Sequence, residues 1–254
     1  MKLRLLTYNI HRAIGVDRRF RPERVVSVLE DHNADVVLLQ EVDHGVPRSR
    51  RLDLAQELAE ALGYPHRAVG HNVRLTEGRY GNATLSRFPI LRQRNIDLSI
   101  ARKKRRGCQY TTLEVEADGR VSHLEVFNLH LGLSAAERVR QVQLLATSPE
   151  LSRLDPHHPC IVAGDFNDWR SLLRPYFVEG LGFHCSTDHQ TAKGPRAIKT
   201  YPSFSPRGAL DRVYYRGSLA LLNAYRCRHQ ISRIASDHLP VISDFSLRFP
   251  REGT

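Results

Sequence analysis

The chain has 254 residues, of which 41% are apolar and 26% are charged, a balance that is typical of a folded globular protein and excludes intrinsic disorder. No stretch approaches the roughly 20 consecutive apolar residues that a transmembrane helix requires, so we expect no transmembrane segment. The formal net charge of +11 favours a polyanionic partner such as nucleic acid, an anionic lipid or a phosphorylated metabolite.

Eight short apolar runs rich in β-branched residues predict strands. In chain order they cover residues 3–8, 36–39, 83–86, 112–115, 124–129, 161–163, 212–215 and 241–245. A short turn around Asp118 and Gly119 separates the runs at 112–115 and 124–129, which predicts that these two strands pair antiparallel.

Three segments with the helical spacing of apolar residues lie between these strands. They cover residues 22–30, with Pro22 in the first turn, residues 53–62, closed by Gly63, and residues 134–146. The last segment begins with Ser134-Ala135-Ala136-Glu137, which is a capping-box pattern. Because strands outnumber helices, we predict an α+β protein with two packed sheets and the helices outside them.

The chain has no linker rich in proline, glycine or serine, so we expect one domain over residues 1–254. We also expect a monomer. Residues 1–6 have the pattern of a strand instead of a signal peptide, and we therefore expect a cytoplasmic protein. The cysteines have no Cys-x-x-Cys spacing, so we expect buried free thiols and neither a zinc site nor a disulfide framework. They are Cys108, Cys160, Cys185 and Cys227.

Acidic, amide and imidazole side chains stand at the ends of the predicted strands, where a sheet edge can bring them into one cleft. They are Asn9, Glu41, His130, Asp165, Asn167, Asp211, Asp237 and His238. Glu41 and Asn9 offer the oxygen ligands that Mg²⁺ prefers. Asp165 and Asn167 lie two residues apart, so in an extended segment both would project to the same face. The alternative for this pair is a tight Asx turn.

Seven short motifs resemble, in the same order along the chain, those of the endonuclease/exonuclease/phosphatase superfamily. They are Thr7-Tyr8-Asn9, Leu39-Gln40-Glu41, Gly81-Asn82-Ala83, Asn128-Leu129-His130, Gly164-Asp165-Phe166-Asn167, Leu210-Asp211 and Ser236-Asp237-His238. The likeness extends from about residue 3 to residue 247 and is strongest to the small bacterial, YbhP-like members. The resemblance implies a DNase I-like, four-layered α/β/β/α sandwich and hydrolysis of phosphate esters that depends on Mg²⁺ or Mn²⁺.

The resemblance also implies roles for the polar residues. The metal ligands would be Asn9, Glu41 and Asp237, the catalytic residues His130, Asp165, Asn167, Asp211 and His238, and the substrate-binding residues Asn82 and Arg138. Asp211 is expected to pair with one ring nitrogen of His238 and so to fix its tautomer. The sequence leaves open whether His238, Asp165 or a metal-bound hydroxide takes the proton from water.

The function favoured by these observations is a Mg²⁺-dependent phosphodiester hydrolase, specifically a nuclease that acts on DNA or RNA. One alternative is hydrolysis of phospholipid head groups or of inositol or sugar phosphates. The other is a non-catalytic regulator that binds nucleic acid on the same fold, and the complete set of polar motif residues argues against it. A looser likeness to the tyrosyl-DNA phosphodiesterases, in His130-Leu131, Glu137-Arg138 and Gln141, identifies no substrate.

Two further features stand outside these motifs. The run Arg102-Lys103-Lys104-Arg105-Arg106, followed by Gly107, predicts an exposed loop. We hypothesise that this loop flanks the cleft and holds a polyanionic substrate, the alternative being a solvated loop without a ligand. Trp169 either caps the site or packs in the core, and we expect it to pack in the core.

Overall fold

The computed structural model describes residues 1–117, 119–191 and 194–249. Its strands are β1 (Lys2–Asn9), β2 (Val36–His44), β3 (His66–Arg74), β4 (Arg79–Ser86), β5 (Ile90–Asp97), β6 (Gly107–Ala117), β7 (Arg120–His130), β8 (Cys160–Asp165), β9 (His184–Cys185), β10 (Asp188–Thr191), β11 (Gly194–Ala197), β12 (Asp211–Arg216), β13 (Leu219–Arg226) and β14 (Val241–Leu247). Its α-helices are α1 (Pro22–His32), α2 (Leu54–Leu62), α3 (Ala135–Thr147), α4 (Pro149–Ser152) and α5 (Ser232–Ala235).

Most of the strands belong to two six-stranded sheets. Sheet 1 has the order β13-β14-β1-β2-β4-β3, sheet 2 has the order β5-β6-β7-β8-β12-β9, and β10 and β11 form a separate hairpin. Strands β1 and β2 run parallel, as do β7 and β8. The predicted antiparallel pairing of β6 with β7 is confirmed, with Ala117 opposite Arg120 at the turn. Asp118, in that turn, lies outside the described residues.

Successive residues of the central strands fill different cores, because their side chains point to opposite faces of the sheet. Leu5 of β1 and Val126 of β7 pack together in the core between the two sheets. Leu6 of β1 packs in a second core beneath α1 and α2, and Phe127 of β7 packs in a third core beneath α3. The layers therefore run helix, sheet 1, sheet 2, helix, which confirms the predicted α/β/β/α sandwich.

The buried residues between the two sheets become polar toward one end of the strands. The alternate positions read Leu5-Thr7-Asn9 on β1, Leu38-Gln40 on β2, Val126-Asn128-His130 on β7 and Ala163-Asp165 on β8. Buried polar groups cost free energy unless they form hydrogen bonds. This end of the sandwich must therefore hold a connected polar network, whereas the other end is an ordinary apolar core.

The predicted elements agree with the observed ones in position. All eight predicted strands lie within observed strands, and the three predicted helices match α1, α2 and α3. Ser134 is the N-cap that the capping-box pattern predicts, and it accepts a hydrogen bond from the backbone N–H of Glu137. Asp53, predicted as the first residue of its helix, is also an N-cap and accepts from the backbone N–H of Gln56. The strands that the prediction lacked include β3 and β13 at the edges of sheet 1, and β5 and β9 at the edges of sheet 2.

The cysteines are free, as predicted, and all but the half-buried Cys185 are buried. In the described part of the chain, no helix combines the length and the apolar character that a membrane span needs.

Candidate active site

Three neighbouring strands of sheet 2 bring three polar residues to one level. His130 at the end of β7 lies opposite Asp165 at the end of β8, and Asp165 lies opposite Asp211 at the start of β12. These residues are all buried, since none is more than 5% exposed. The polar residues predicted at the ends of these strands therefore meet at one edge of sheet 2.

Gly164 allows the close approach of β7 and β8 that positions Asp165. Its φ is +139°, and a Cβ atom at this position would lie 2.0 Å from the carbonyl oxygen of Leu129. Any residue with a side chain would have to push β8 away from β7 immediately before the Asp165 carboxylate. The glycine that begins the Gly-Asp-x-Asn motif is thus required by backbone conformation and by packing.

Asp211, His238 and Asp165 form a buried carboxylate–imidazole–carboxylate unit. Nδ1 of His238 lies 2.9 Å from Oδ2 of Asp211, so the structure contains the predicted pair. Nε2 of the same imidazole lies 3.6 Å from Oδ2 of Asp165. The hydroxyl of Thr200 donates a second hydrogen bond to Oδ2 of Asp211 at 2.5 Å. Because Asp211 engages Nδ1, Nε2 of His238 is the ring nitrogen that faces Asp165.

The charge state of this unit follows from its burial and its neighbours. Burial by itself would lower the pKa of His238, but the carboxylates of Asp211 and Asp165 raise it to about 10. Burial raises the pKa of the Asp165 carboxyl, and the positive charge of His238 opposes this effect. The imidazole of His238 is therefore stabilised as a cation between two carboxyl groups.

His130 supplies a second imidazole to Asp165, with Nε2 at 3.4 Å from Oδ2 of the carboxylate. Burial lowers the pKa of His130 well below its usual value, and the positive charges of Arg106 and His238 lower it further. His130 is thus favoured as the neutral imidazole. Asp165 consequently lies between one cationic and one neutral ring.

Asn9 and Asn167 hold the Asp165 carboxylate in place. Nδ2 of Asn9 donates to Oδ2 of Asp165 at 3.0 Å, across the interface between the sheets. The backbone N–H of Asn167 donates to Oδ1 at 2.9 Å, and its side-chain amide donates to the carbonyl oxygen of Leu131 at 3.0 Å. Asn167 has a φ of +52°, so the expected extended, same-face arrangement is wrong and the Asx turn is present.

Glu41 projects from a bulge in β2. Its φ is +56°, and the register of β2 with β4 shifts between Leu39 and Val42. Oε2 of Glu41 lies 3.3 Å from Nε of Arg12. Neither of these two atoms forms a hydrogen bond among the described residues, although both are buried. The bulge therefore directs Oε2 of Glu41, which accepts no hydrogen bond among the described residues, toward the site.

Asp237 precedes His238 and is more accessible than the other predicted metal-binding carboxylate, with its side chain 32% exposed against 15% for Glu41. The hydroxyl of Ser236 donates to the carbonyl oxygen of Asn9 at 2.7 Å. This hydrogen bond ties the loop that carries Asp237 to the end of β1. Asn9 and Asp237 therefore belong to the same corner of the site.

Within the described part of the chain, the potential metal-ligating atoms that lie within 4.8 Å of one another belong to Asp165, Asp211 and His238, and this set differs from the predicted metal ligands. Two of these residues, Asp211 and His238, already share a short hydrogen bond. We therefore interpret this cluster as the carboxylate–imidazole unit. The buried carboxylate oxygens that lack hydrogen bonds among the described residues are Oε2 of Glu41, Oδ1 of Asp168 and Oδ1 of Asp211. Such oxygens are the donors that a hard divalent cation takes.

Asn82 and Asn128 link the two sheets beneath the site. The side-chain amide of Asn82 on β4 donates to the carbonyl oxygens of Gly107 and Asn128 in sheet 2, at 3.2 and 3.0 Å. Asn128 on β7 donates to the carbonyl oxygens of Leu39 and Ala83 in sheet 1, at 3.1 and 2.9 Å. Both amide groups thus stabilise the packing of one sheet on the other, and substrate binding by Asn82 stays a prediction.

Arg138 lies on the buried side of α3. Its Nη1 donates to the carbonyl oxygen of Leu133 at 2.6 Å, and its Nη2 lies 3.8 Å from Oδ1 of Asp168. These contacts hold the segment that follows His130 against α3. Substrate binding by Arg138 therefore also stays a prediction.

The basic run at residues 102–106 lies at the edge of the site. Residues 102–105 are exposed as predicted, but Arg106 is only 7% exposed, so the prediction is wrong for this residue. Arg105 and Arg106 line a small cavity together with Glu41, Asn82 and His130. Nε of Arg106 is buried and has no hydrogen-bond partner among the described residues. The loop thus brings a cationic donor to the cavity.

Two aromatic residues that the sequence prediction did not place in the site extend from His238. The ring centroid of Tyr201 lies 5.1 Å from that of His238, and the ring centroid of Trp169 lies 5.4 Å from that of Tyr201. Trp169 is 54% exposed, so the expectation that it packs in the core is wrong. The sequence signal that could have identified it is its position two residues after Asn167.

Comparisons with known proteins identify related sequences. A model of the Endonuclease/Exonuclease/phosphatase family matches residues 6–238. The chain is 32% identical over 258 residues to the uncharacterized protein YbhP of Escherichia coli (strain K12), and 96% of each chain is covered.

Solved structures show the same fold. An endonuclease/exonuclease/phosphatase from Beutenbergia cavernae DSM 12333 superposes with a TM-score of 0.79 at 22% identity, covering 97% of this chain and 72% of that one. The mannosyl-6-phosphatase Bt3783 of Bacteroides thetaiotaomicron VPI-5482 gives 0.72 at 19% identity, with 96% and 100% covered. D. rerio TDP2 complexed with a single-strand DNA product gives 0.70 at 18% identity, with 96% and 99% covered. The family match and the YbhP relative together establish that this chain belongs to the endonuclease/exonuclease/phosphatase family.

Proposed function

We propose that the protein is a phosphodiesterase that depends on a divalent metal ion and cleaves nucleic acid. The observation that carries the proposal is the buried unit of Asp211, His238 and Asp165, which meets Asn9 from the other sheet. A phosphodiester is negatively charged and repels hydroxide, so its hydrolysis needs positive charge at the phosphate oxygens and a group that accepts a proton from water. Both kinds of group are present in this unit.

The metal ion that we propose is Mg²⁺ or Mn²⁺. Glu41, Asn9 and Asp237 would hold it, and they offer only oxygen atoms, which favours hard cations. The fit is supported by Oε2 of Glu41, which is buried without a hydrogen-bond donor among the described residues. When bound, such an ion neutralises charge on the phosphate and polarises its ester bond.

The residues of the chain bind the phosphate, accept the proton from water and contact the departing oxygen. Asp211 accepts a hydrogen bond from Nδ1 of His238 and thereby directs Nε2 toward the phosphate position. His238 binds a phosphate oxygen, and Asp165, oriented by Asn9 and Asn167, accepts the proton from the attacking water. His130 lies on the other side of Asp165, and its neutral ring donates a hydrogen bond to the departing oxygen. We thus assign the general base to Asp165, a choice that the sequence left open.

Nucleic acid is the proposed substrate class because cations beyond the reaction centre flank the site. Arg106 lies at the cavity beside His130, and the exposed residues 102–105 continue the positive charge outward. A phosphomonoester of a small sugar has no further phosphates to meet such a loop, whereas a nucleic-acid strand has one per nucleotide. The likeness to TDP2 with a DNA product lends support at the level of the fold.

Hydrolysis of a sugar phosphate is the second candidate, and the likeness to the mannosyl-6-phosphatase Bt3783 favours it. In that case the basic run at residues 102–106, here called the cationic loop, would have no role in catalysis. Hydrolysis of phospholipid head groups and non-catalytic binding of nucleic acid are further alternatives for the test.

The test is a screen of the purified protein with Mg²⁺, with Mn²⁺ and with a chelator, on single- and double-stranded DNA, RNA, phospholipids and phosphomonoesters. The matched control is Asp165→Asn, which keeps the size of the side chain and removes the proposed base. We expect metal-dependent cleavage of nucleic acid that this variant loses. Cleavage of mannose 6-phosphate alone would favour the second candidate, and binding of nucleic acid without cleavage of any substrate would favour the regulator.

A further inference from the structure

Trp169 is the single tryptophan of the chain, and it is unusually accessible for a residue so close to buried polar groups. It is 54% exposed, yet it follows Asn167 by two residues and Asp168, which is 2% exposed, by one. An exposed aromatic side chain beside a cleft offers a large apolar surface that can pack against a planar ligand. The position of this indole is therefore suited to contact with a ligand.

The indole is the outer member of a row of three rings. His238 contacts Tyr201 with ring planes at 54°, and Tyr201 contacts Trp169 edge-on with ring planes at 85°. The inner ring is the one that faces the phosphate position, and the outer ring is in solvent. A planar group attached to the phosphate through one sugar would therefore meet the exposed indole.

Gly208 fixes the position of the indole. A Cβ atom on Gly208 would lie 2.6 Å from the six-membered ring of Trp169, so the ring packs directly on the backbone. Gly208 also bonds through its backbone to Tyr201, at 2.7 and 3.1 Å. The segment that precedes Asp211 thus supports both rings, while Trp169 as a whole stays accessible.

We propose that Trp169 is a stacking platform for the nucleobase next to the scissile phosphate. The inference rests on the proposed function, since it places the base relative to a phosphate bound at His238. Stacking on an aromatic side chain tolerates every base, because each base has a π-face. The platform would give the site a preference for nucleotides over sugar phosphates without selecting a base sequence.

The single tryptophan makes the contact directly measurable, because all intrinsic indole fluorescence comes from Trp169. The Asp165→Asn variant, in Mg²⁺, is titrated with thymidine 5′-monophosphate, with 2-deoxyribose 5-phosphate and with mannose 6-phosphate, and calorimetry measures binding of each probe. We expect saturable quenching and tighter binding for thymidine 5′-monophosphate only. Equal affinity for all three probes without quenching would overturn the platform and leave the phosphoesterase proposal intact. Failure of all three to bind would contradict both.

A second measurement separates stacking from a structural role. Thymidine 5′-(4-nitrophenyl) phosphate and methyl 4-nitrophenyl phosphate release the same product, but only the first carries a base. Trp169→Ala should lower kcat/KM for the thymidine ester by about tenfold to hundredfold more than for the methyl ester, and Trp169→Phe should restore much of this difference. Leu222→Ala, which alters a residue 53% exposed on β13, is the control that changes neither value. An equal loss on both esters would mean that Trp169 only supports the fold.

Discussion

Asp211 accepts a hydrogen bond from His238, so we expect the loss of activity caused by changing Asp211 to depend on whether His238 is present. We propose that Asp211 acts as a positioning residue, because it accepts a hydrogen bond from Nδ1 of the imidazole and holds the orientation of the ring. We expect Asp211→Asn to lower kcat by about 10² to 10⁴, as for a comparable carboxylate behind a catalytic histidine.

The matching test is the double variant. Because the two residues act as one unit, Asp211→Asn combined with His238→Ala should be no slower than His238→Ala alone. Asp211→Glu, which keeps the carboxylate, should recover part of the activity. Losses that multiply in the double variant would show that the two residues act independently.

Removing the charge of Glu41 should weaken binding of the divalent ion while the fold stays intact. Glu41→Gln keeps the shape of the side chain at the β2 bulge but removes the carboxylate that pairs with Arg12. We expect the concentration of Mg²⁺ that gives half-maximal activity to rise at least about tenfold, with part of the activity recovered at saturating metal. Arg12→Gln is the control for loss of the ion pair, and an equal shift in both variants would contradict metal binding by Glu41.

The site residues that can be predicted from the sequence are those at the ends of strands with a clear apolar run. His130, Asp165 and Asp211 could be identified because a strand and its register carry them to a common edge. Tyr201 could not, since it lies in an irregular segment and meets His238 only through packing. Trp169 contacts Tyr201 in turn, and its position two residues after Asn167 is the one sequence signal that marks it. Arg106 was expected in solvent because charge density alone does not reveal a neighbouring cavity.

At the scale of elements, Gly164 sets the distance between β7 and β8. We expect Gly164→Ala to destabilise the protein by about 3 kcal/mol or more, because the backbone is strained and the new Cβ overlaps the carbonyl oxygen of Leu129. Gly182→Ala is the matched control, with a φ of +68° and nothing within 4 Å, and should cost only about 1 kcal/mol. Urea unfolding of both variants measures the difference, and equal costs would rule out the close approach as the cause.

Strand β3 carries a histidine that should make stability fall in mild acid. Burial, followed by the charges of Arg79 and His44, lowers the pKa of His71 to about 4, with Asp53 opposing these effects. Between pH 6.5 and 4 the unfolded chain therefore binds a proton that the folded chain does not, so the free energy of unfolding falls as pH falls. Between pH 7 and pH 5, the free energy of unfolding of the His71→Gln variant should therefore fall by about 1 kcal/mol less than that of the unchanged protein, after allowance for the partial exposure of His71. Identical pH profiles for the two proteins would exclude His71 as the source.

Element prediction succeeded in the centre of each sheet and failed at the edges for one physical reason. Strands β1, β2, β7 and β8 are buried on both faces, so their apolar runs are continuous. Strand β5 forms an edge of sheet 2 and exposes most of its residues, so its sequence lacks the run that predicts a strand. The edge strands are defined by pairing with a neighbour, and that information is not local in sequence.

At the scale of the whole molecule, the cationic loop should control how salt affects substrate binding. Changing Lys103, Lys104 and Arg105 to Ser in the Asp165→Asn background should flatten the plot of log affinity against log salt, by roughly one unit for each phosphate that the loop no longer neutralises. The control changes Lys2, Arg120 and Arg153 to Ser, and these residues are also exposed. Lys2 and Arg120 begin β1 and β7, at the strand ends opposite to the site, and Arg153 lies in the loop between α4 and β8. Equal slopes on DNA and RNA for both variants would contradict binding of nucleic acid by the loop.

The site is divided between two sheets, with Asn9 and Glu41 supplied by sheet 1 and His130 and Asp165 by sheet 2. A ligand that contacts both sets can bind only while the sheets are docked, so its binding energy adds to the free energy of unfolding. A ligand at a hundred times its dissociation constant would add about 2.7 kcal/mol. The melting temperature of the protein thus becomes a direct readout of occupancy, by which metal ions and phosphorylated compounds can be ranked before any reaction has been observed.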